Sequence, residues 1–259
     1  MAPLMIAVAG KGGTGKTTVC GMITKNLASA GAGHILAVDA DPNSNLNEVL
    51  GVKIETTLGD IRETMVGREL SGEPIPAGMT KQEYAEFMFS DALAEGDDYD
   101  LLVMGRTQGT GCYCYVNGVL KAQLDKYAGS YAYIVVDNEA GLEHISRGTL
   151  PRIDILLLIS DCSRRGIQAA GRISEMVGQL GLKPDVMKLI VNRAPGGALD
   201  GGVLDEIAKN GLDLIGVLPQ DETVYRFDCE GLPTSDAPDD NPVKAAVGGI
   251  MKKLNIPGL

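Results

Sequence analysis

Seven short apolar runs, separated by segments with helical spacing, form the main pattern along this chain. Each run is four to six residues long and is bounded by turn-forming residues. The runs are almost continuously apolar, which is expected of parallel strands because helices cover both faces of such a sheet. We therefore predict strands at residues 4–9, 35–38, 101–104, 133–136, 155–159, 187–191 and 214–218.

The segments between the runs carry apolar residues three and four positions apart, which is the periodicity of an amphipathic helix. The alternation of strand and helix predicts an α/β fold with a doubly wound, mostly parallel seven-stranded sheet. A chain of 259 residues can form one large domain, so residues 1–259 are assigned to a single domain. Helices are expected at residues 16–30, 58–66, 81–94, 167–180, 203–210 and 241–255.

The least informative stretch is residues 53–100, which we interpret as a variable insertion without assigned chemistry. Its two predicted helices flank a loop at residues 67–78 that is rich in Gly and Pro. Tyr84, Phe87 and Met88 stand at helical spacing in the second helix, and we predict that they belong to the core.

A glycine-rich loop with two lysines follows the first predicted strand and opens the first predicted helix. Residues 10–18 read GKGGTGKTT, which contains the pattern G-x-x-x-x-G-K-[ST]. Backbone N–H groups of such a loop surround phosphate oxygens, and the positive end of the following helix favours the same anion. The pattern predicts a P-loop NTPase in which Lys16 neutralises the β- and γ-phosphates and Thr17 ligates magnesium. The predicted phosphate contacts are Gly10, Lys11, Gly12, Gly13, Thr14, Gly15, Lys16, Thr17 and Thr18.

Lys11 is a second cation in the loop, and the general pattern does not require it. A solvated surface lysine is the ordinary alternative. With Lys11, the loop resembles the deviant loop of the MinD, ParA and nitrogenase-iron-protein superfamily of dimeric ATPases. In that superfamily the additional lysine reaches the partner's nucleotide, so the resemblance implies a homodimer with two ATP sites face to face. The candidate catalytic residues are Lys11, Lys16 and Asp41.

A pair of carboxylates, Asp39 and Asp41, follows the second predicted strand. They are separated by one residue, so an extended backbone would direct both side chains to one side. One can hold magnesium through water while the other orients the attacking water, although a plain turn before Pro42 is the alternative. The segment resembles the first switch of the same superfamily. This implies that Asp41 orients the water and that Asp39 belongs to the metal's outer shell.

The fourth predicted strand leads into Asp137, and Gly141 follows four residues later. This arrangement resembles the second switch of P-loop ATPases. In that switch the aspartate ligands magnesium through water and the glycine N–H contacts the γ-phosphate. A turn at the strand end is the alternative interpretation.

Two segments after later strands are candidates for binding the nucleotide base. Asn192 and Arg193 follow the sixth predicted strand, and Pro219, Gln220 and Asp221 follow the seventh. The guanine-reading sequence N-K-x-D is absent from the chain. In the superfamily this asparagine hydrogen-bonds the adenine and the loop beginning at the proline lines the other side of the base. ATP is therefore expected in preference to GTP.

Cys112 and Cys114 lie in a glycine-rich loop, residues 105–118, after the third predicted strand. One intervening residue allows both thiolates to face one side of an extended segment, whereas a disulfide between them would be strained. Two sulfurs make half of a four-coordinate site, and a symmetric dimer would supply the other two. Thiolates would select zinc, nickel or an iron–sulfur cluster, and two loop cysteines without function are the alternative.

Charge and hydropathy limit the expected partners and location. Lys and Arg number 23 and Asp and Glu number 34, which gives a net charge of −11 and disfavours nucleic acid and anionic lipid. The chain contains no apolar stretch long enough to span a membrane, and residues 1–8 lack the basic start of a signal peptide. We expect a cytoplasmic protein that binds neither nucleic acid nor membrane. Val243, Val247, Ile250 and Leu254 share one helical face, which predicts core packing, with membrane docking as the alternative.

Over nearly its whole length the chain resembles the CooC-type nickel-insertion accessory ATPases of carbon monoxide dehydrogenase and acetyl-CoA synthase. The resemblance includes both switches and Glu143-His144, and it rests above all on C-Y-C at residues 112–114. It implies that ATP closes two subunits, that hydrolysis reopens them, and that nickel or zinc binds the shared thiolates. The implied client is carbon monoxide dehydrogenase/acetyl-CoA synthase. An iron–sulfur carrier or electron donor and a MinD/ParA-like positioning ATPase are the alternatives.

Overall fold

One eight-stranded sheet forms the centre of the computed structural model, which describes residues 2–76, 78–106, 118, 121–122, 128–139 and 152–259. The strands are β1 (Leu4–Gly10), β2 (Ile35–Asp39), β3 (Leu93–Ala94), β4 (Tyr99–Val103), β5 (Tyr133–Asp137), β6 (Ile155–Asp161), β7 (Val186–Ala194) and β8 (Leu214–Pro219). Their order is β3-β4-β2-β5-β1-β6-β7-β8. All neighbouring strands are parallel except β3 and β4.

Helices cover both faces of the sheet. The main helices of the described ranges are α1 (Lys16–Ser29), α2 (Leu46–Leu50), α3 (Leu58–Ser71), α4 (Lys81–Ala92), α5 (Arg164–Gln179), α6 (Gly201–Lys209), α7 (Glu222–Glu230) and α8 (Pro242–Lys253). Helices α3, α4, α5 and α6 pack on one face, and α1, α2 and α8 pack on the other. In β1, Met5 and Ala7 face the first layer and Ile6 and Val8 face the second, all at most 4% exposed. Burial on both faces explains why the runs are almost continuously apolar.

The predicted α/β class with a mostly parallel sheet is confirmed, and all seven predicted strands are present. The sheet has an eighth strand that the sequence did not predict, because the two residues of β3 are too few to show a periodicity. The helix predicted at residues 81–94 was too long. It ends at Ala92, since Leu93 adopts extended backbone angles and pairs antiparallel with Leu102.

The structure also corrects two expectations in residues 53–100. Helix α3 extends to Ser71 and ends at Gly72, which adopts a left-handed conformation with φ of 70°, so the predicted loop at 67–78 is partly helical. Tyr84 is buried as predicted, but the Phe87 side chain is 54% exposed and lies outside the core. Helical spacing marks a face, and the width of the buried part of that face depends on the neighbouring elements.

The C-terminal helix α8 packs in the core, as predicted. Val243, Val247 and Ile250 are at most 4% exposed and lie among the buried residues of α1 and the sheet. A Cβ atom on Gly216 of β8 would overlap the Ile250 side chain, so the helix and strand approach each other closely. No helix in the described ranges is long and apolar enough to cross a bilayer.

The sheet places the predicted nucleotide-site residues of the described ranges along one edge. β1, β2, β5, β7 and β8 run in the same direction, so their carboxyl ends meet at one side of the molecule. Asp39 at the end of β2 is directly opposite Asp137 at the end of β5. Because β5 also pairs with β1, this carboxylate pair lies beside the loop at 10–18.

Candidate nucleotide-binding site

The loop between β1 and α1 depends on its glycines. Gly13 and Gly15 have positive φ values of 78° and 87°, a conformation that other residues rarely adopt. A Cβ on Gly15 would overlap the amide of Asn192, and a Cβ on Gly10 would overlap the carbonyl oxygen of Ile159. The backbone can therefore take this path only if these positions lack a side chain.

The two lysines of the loop differ in their surroundings. The Lys16 side chain is buried and its Nζ donates to the carbonyl oxygen of Lys11 at 3.3 Å, so the ammonium group lies within the loop. Thr14 Oγ1 donates to the same carbonyl at 2.9 Å. Lys11 itself is exposed, which leaves its side chain accessible from outside the subunit. Helix α1 begins at Lys16 without an acidic residue in its first turn, and its N-terminus therefore favours an anion.

Asp39 and Asp137 are buried carboxylates with raised pKa values. Asp39 is fully buried, and burial raises its pKa to about 6, although hydrogen bonds from the backbone N–H groups of Leu46 and Asp41 oppose the shift. Burial and the negative charge of Asp39 raise the pKa of Asp137 to about 7. A hydrogen bond from the Thr17 side chain and the charge of Lys16 act in the opposite direction. The paired strands thus hold two carboxylates that favour a bound cation when both are ionised.

The residues at this position fit a magnesium ion. Within the described ranges, Asp137 Oδ1 is buried without a hydrogen-bond partner, and the Thr17 side chain lies against the same carboxylate. Oxygen ligands of this kind suit magnesium, which also keeps several waters and takes ligands from nucleotide phosphates. Nowhere in those ranges do three or more His, Cys, Asp or Glu side chains gather as a metal site.

Asp41 lines a cavity beside the phosphate-binding loop, called here the phosphate cavity. This cavity has a volume of about 590 Å³. Asp41 Oδ1 accepts hydrogen bonds from the backbone N–H of Asn43 at 2.8 Å and from its side-chain Nδ2 at 3.0 Å. The lining of the cavity includes Gly12, Gly13, Gly15, Lys16, Thr17, Thr18, Asp41 and Asn43.

A second cavity of about 390 Å³ adjoins the phosphate cavity and contains the predicted base-binding residues. Asn192 Nδ2 donates to the carbonyl oxygen of Thr14 at 3.0 Å, and Arg193 donates to that of Gly13 at 3.1 Å. Both residues therefore also hold the phosphate-binding loop in place. The lining comprises Thr18, Val19, Asn192, Arg193, Pro219, Gln220, Asp221, Val224, Tyr225, Asp228 and Val243.

Helix α7 adds two residues to the site that sequence reasoning missed. Asp221 caps this helix, since its Oδ1 accepts from the backbone N–H of Val224 at 2.9 Å. Tyr225 and Asp228 follow on the same helical face and line the base cavity, and Asp228 also lines the phosphate cavity. Tyr225 lies four residues after Asp221, and Asp228 lies three residues after Tyr225. This helical spacing was the signal that could have identified them.

The predicted thiolate site and the glycine of the second switch fall in parts of the chain that the structure does not describe. Cys112, Cys114 and Gly141 lie outside the residues that the structure describes, as do Glu143 and His144. Their predicted roles therefore stay predictions.

The fold and the loop define a P-loop ATPase of the α/β class. The chain belongs to the CobQ/CobB/MinD/ParA nucleotide binding domain family, whose sequence model matches residues 5–234. The predicted superfamily is thereby confirmed, together with ATPase activity as the class of reaction.

Named relatives cover nearly the whole chain. The chain is 42% identical over 252 residues to an uncharacterized ATP-binding protein of Methanocaldococcus jannaschii, covering 97% of this chain and 98% of the relative. It is 29% identical over 241 residues to the carbon monoxide dehydrogenase accessory protein CooC of Rhodospirillum rubrum, covering 90% of each. The septum site-determining protein MinD of Pyrococcus horikoshii, solved with Mg-ADP, superposes with a TM-score of 0.69 at 21% identity. That match covers 98% of this chain and 96% of the other, and it concerns the fold alone.

Proposed function

We propose that this protein is an ATP-hydrolysing accessory protein that inserts nickel into carbon monoxide dehydrogenase/acetyl-CoA synthase. The sequence C-Y-C at residues 112–114 carries the proposal. It follows β4, and β4 pairs with β2, the strand that ends in the predicted first switch. Met104 N donates to the carbonyl oxygen of Asp39 at 2.9 Å, so the two strand ends are joined at the edge that bears the nucleotide site. Similarity to the CooC protein of Rhodospirillum rubrum supports the same function.

In the proposed reaction, water attacks the γ-phosphorus of ATP, and the bond to the oxygen bridging the β- and γ-phosphates breaks. Lys16 and the loop N–H groups balance the charge that develops on the phosphate oxygens. Asp41 orients the attacking water through the oxygen that does not accept from Asn43. The products are ADP and inorganic phosphate.

Magnesium would be held by Thr17, with Asp137 and Asp39 in its outer shell, and it would supply positive charge at the β- and γ-phosphates. The buried and unpartnered Asp137 Oδ1 supports this assignment. The solved MinD relative with Mg-ADP supports a magnesium nucleotide as the ligand of this fold. Asn192, Arg193, Pro219, Gln220 and Asp221 would enclose the adenine.

The working unit in this proposal is a homodimer. The exposed Lys11 side chain would reach the partner's nucleotide, and each subunit would contribute Cys112 and Cys114 to one shared thiolate site. ATP binding would then favour the closed dimer, and hydrolysis would reopen it. Nickel or zinc would be the metal at this site, since soft thiolates select such ions.

The metal site is tested by equilibrium dialysis of anaerobically purified protein against nickel and against zinc, with metal analysis and absorption spectra. We expect one metal per two chains in the parent protein. Cys112→Ser and Cys114→Ser should each abolish stoichiometric binding but leave ADP affinity nearly intact, because thiolates and phosphate loop are separate sites.

Cys229→Ser is the matched control, because Cys229 is an exposed free cysteine. It should bind metal as the parent does. Unchanged metal binding by the Cys112→Ser/Cys114→Ser double variant would reject the thiolate site. A visible absorption band with bound iron would instead favour the iron–sulfur carrier.

A MinD/ParA-like positioning ATPase is the second candidate, and the match to the MinD fold favours it. Two observations oppose its DNA and membrane forms. The net charge of −11 repels nucleic acid and anionic lipid, and Val247 and Ile250 are buried in the core instead of facing a bilayer.

A further inference from the structure

One oxygen of the Asp41 carboxylate is held by a short hydrogen-bonded turn. Asn43 donates to Asp41 Oδ1 with both its backbone N–H and its side-chain amide, at 2.8 and 3.0 Å. Asp41 N in turn donates to Asp39 Oδ1 at 3.0 Å. No hydrogen bond to Asp41 Oδ2 is found among the residues that the structure describes, so this oxygen is the one left for water.

The Asn43 side chain is itself held from a distant part of the chain. Arg106 Nη2 donates to Asn43 Oδ1, and the two residues are 63 positions apart in sequence. The amide of Asn43 thus receives a hydrogen bond at its oxygen and donates one at its nitrogen. Asn43 and Arg106 are both exposed, so burial does not explain their contact.

The backbone that carries Arg106 is fixed by close packing against the start of α3. Gly105 has a φ of 68°, and a Cβ there would overlap the Thr57 side chain. A Cβ on Gly59 would overlap the carbonyl oxygen of Arg106, and Gly59 N donates to the carbonyl oxygen of Met104 at 2.8 Å. These contacts set the position from which the guanidinium extends toward the switch.

We propose that Arg106 is a positioning residue for ATP hydrolysis, which acts through Asn43 to fix the orientation of the Asp41 carboxylate. This inference rests on the proposed role of Asp41. With Oδ1 restrained by the Asn43 amide, rotation of the carboxylate is restricted and Oδ2 stays directed at the attacking water. A misaligned general base or water-orienting group lowers turnover more than substrate binding.

Steady-state ATPase kinetics of Arg106→Ala provide the test, with MgADP affinity measured by calorimetry. We expect kcat to fall about tenfold, the effect of losing one positioning hydrogen bond, with KM and ADP affinity within about twofold of the parent. Arg106→Lys retains a donor and should recover most of the rate. Arg172→Ala is the matched control, because Arg172 is an exposed arginine on α5 that lines neither the phosphate cavity nor the base cavity, and it should leave kcat unchanged.

Asn43→Ala and the Asn43→Ala/Arg106→Ala double variant show whether Arg106 acts through Asn43. If it does, the double variant should be no slower than Asn43→Ala alone. Multiplied losses in the double variant, or an unchanged kcat in Arg106→Ala, would overturn the proposal. Full turnover by Asp41→Asn would overturn it as well.

These outcomes are independent of the metal proposal. A protein that binds no nickel or zinc but loses kcat in Arg106→Ala would retain the positioning role and lose the nickel-insertion function. A protein that binds metal through Cys112 and Cys114 but keeps its kcat in Arg106→Ala would show the reverse.

Discussion

At the scale of single residues, the carboxylate pair Asp39 and Asp137 determines how the site responds to pH. Each pKa is raised by burial, to about 6 and about 7, and the ordinary value is 3.8. The unfolded chain therefore releases these protons at lower pH than the folded chain does. In metal-free protein the two groups lose their favourable contribution to stability as pH rises from about 4 to about 7.

Magnesium should compete with these protons. We expect the affinity for MgADP to rise between about pH 5.5 and pH 8 and to level off above that, because the ion requires ionised carboxylates. Calorimetric titration across this range, with ADP in chelator as the reference, measures the effect. Asp137→Asn should lose most of the magnesium dependence. An affinity for MgADP that falls with rising pH would contradict the assignment.

Lys16 and Asp41 should separate nucleotide binding from turnover. Lys16→Ala removes the cation within the loop, so we expect it to lose ATP binding. Asp41→Asn keeps the loop intact and should bind ATP normally but lose turnover by a factor of about 100 or more. Filter binding and phosphate release measure the two properties. Full turnover by both variants would reject the catalytic assignment.

At the scale of elements, α8 shows how an amphipathic stripe is used in this fold. Ile250 is 3% exposed and sits over Gly216 of β8, where no Cβ intervenes. The apolar residues of α8 therefore pack against α1 and the sheet, and they are not exposed for contact with lipid.

Ile250→Ala should lower the free energy of unfolding by about 3 kcal/mol, because it opens a cavity between helix and strand. Denaturant titration measures this change. Met176→Ala is the control, since Met176 is 41% exposed on α5 and should change stability by less than about 0.5 kcal/mol. Vesicle flotation of the parent should show no binding. Vesicle binding that Ile250→Ala abolishes without loss of stability would restore the membrane alternative.

At the scale of the whole molecule, the proposed function requires two subunits. Lys11 is exposed, whereas Lys16 is buried within its own loop, so only Lys11 is placed to extend beyond the subunit. ATP and metal would each bind the dimer better than the monomer, and each should then strengthen binding of the other.

Sedimentation velocity with ATP, with nickel, with both and with neither tests this linkage. In an Asp41→Asn background, which should retain ATP, we expect each ligand to shift the protein toward the dimer and both together to shift it further. Adding Lys11→Ala should abolish the response to ATP but leave the response to nickel. Lys53→Ala, another exposed lysine, is the control. A monomer that binds one nickel per chain would exclude the shared site.

The sequence by itself determined the features that depend on local pattern. The seven long strands follow from nearly continuous apolar runs, and the phosphate-binding loop follows from residues 10–18, because glycine spacing constrains the backbone directly. Core packing of α8 was also predictable, since Val247 and Ile250 repeat at helical spacing. Each of these signals lies within a short stretch of the sequence.

Only the tertiary structure decided the relations between distant segments. Sheet register places Asp39 opposite Asp137, and the packing of α3 on the end of β4 brings Arg106 to Asn43. The exposure of Phe87 likewise depends on which elements cover α4. Such contacts are set by burial and hydrogen bonding between segments that are far apart in the chain, and local periodicity carries no information about that pairing.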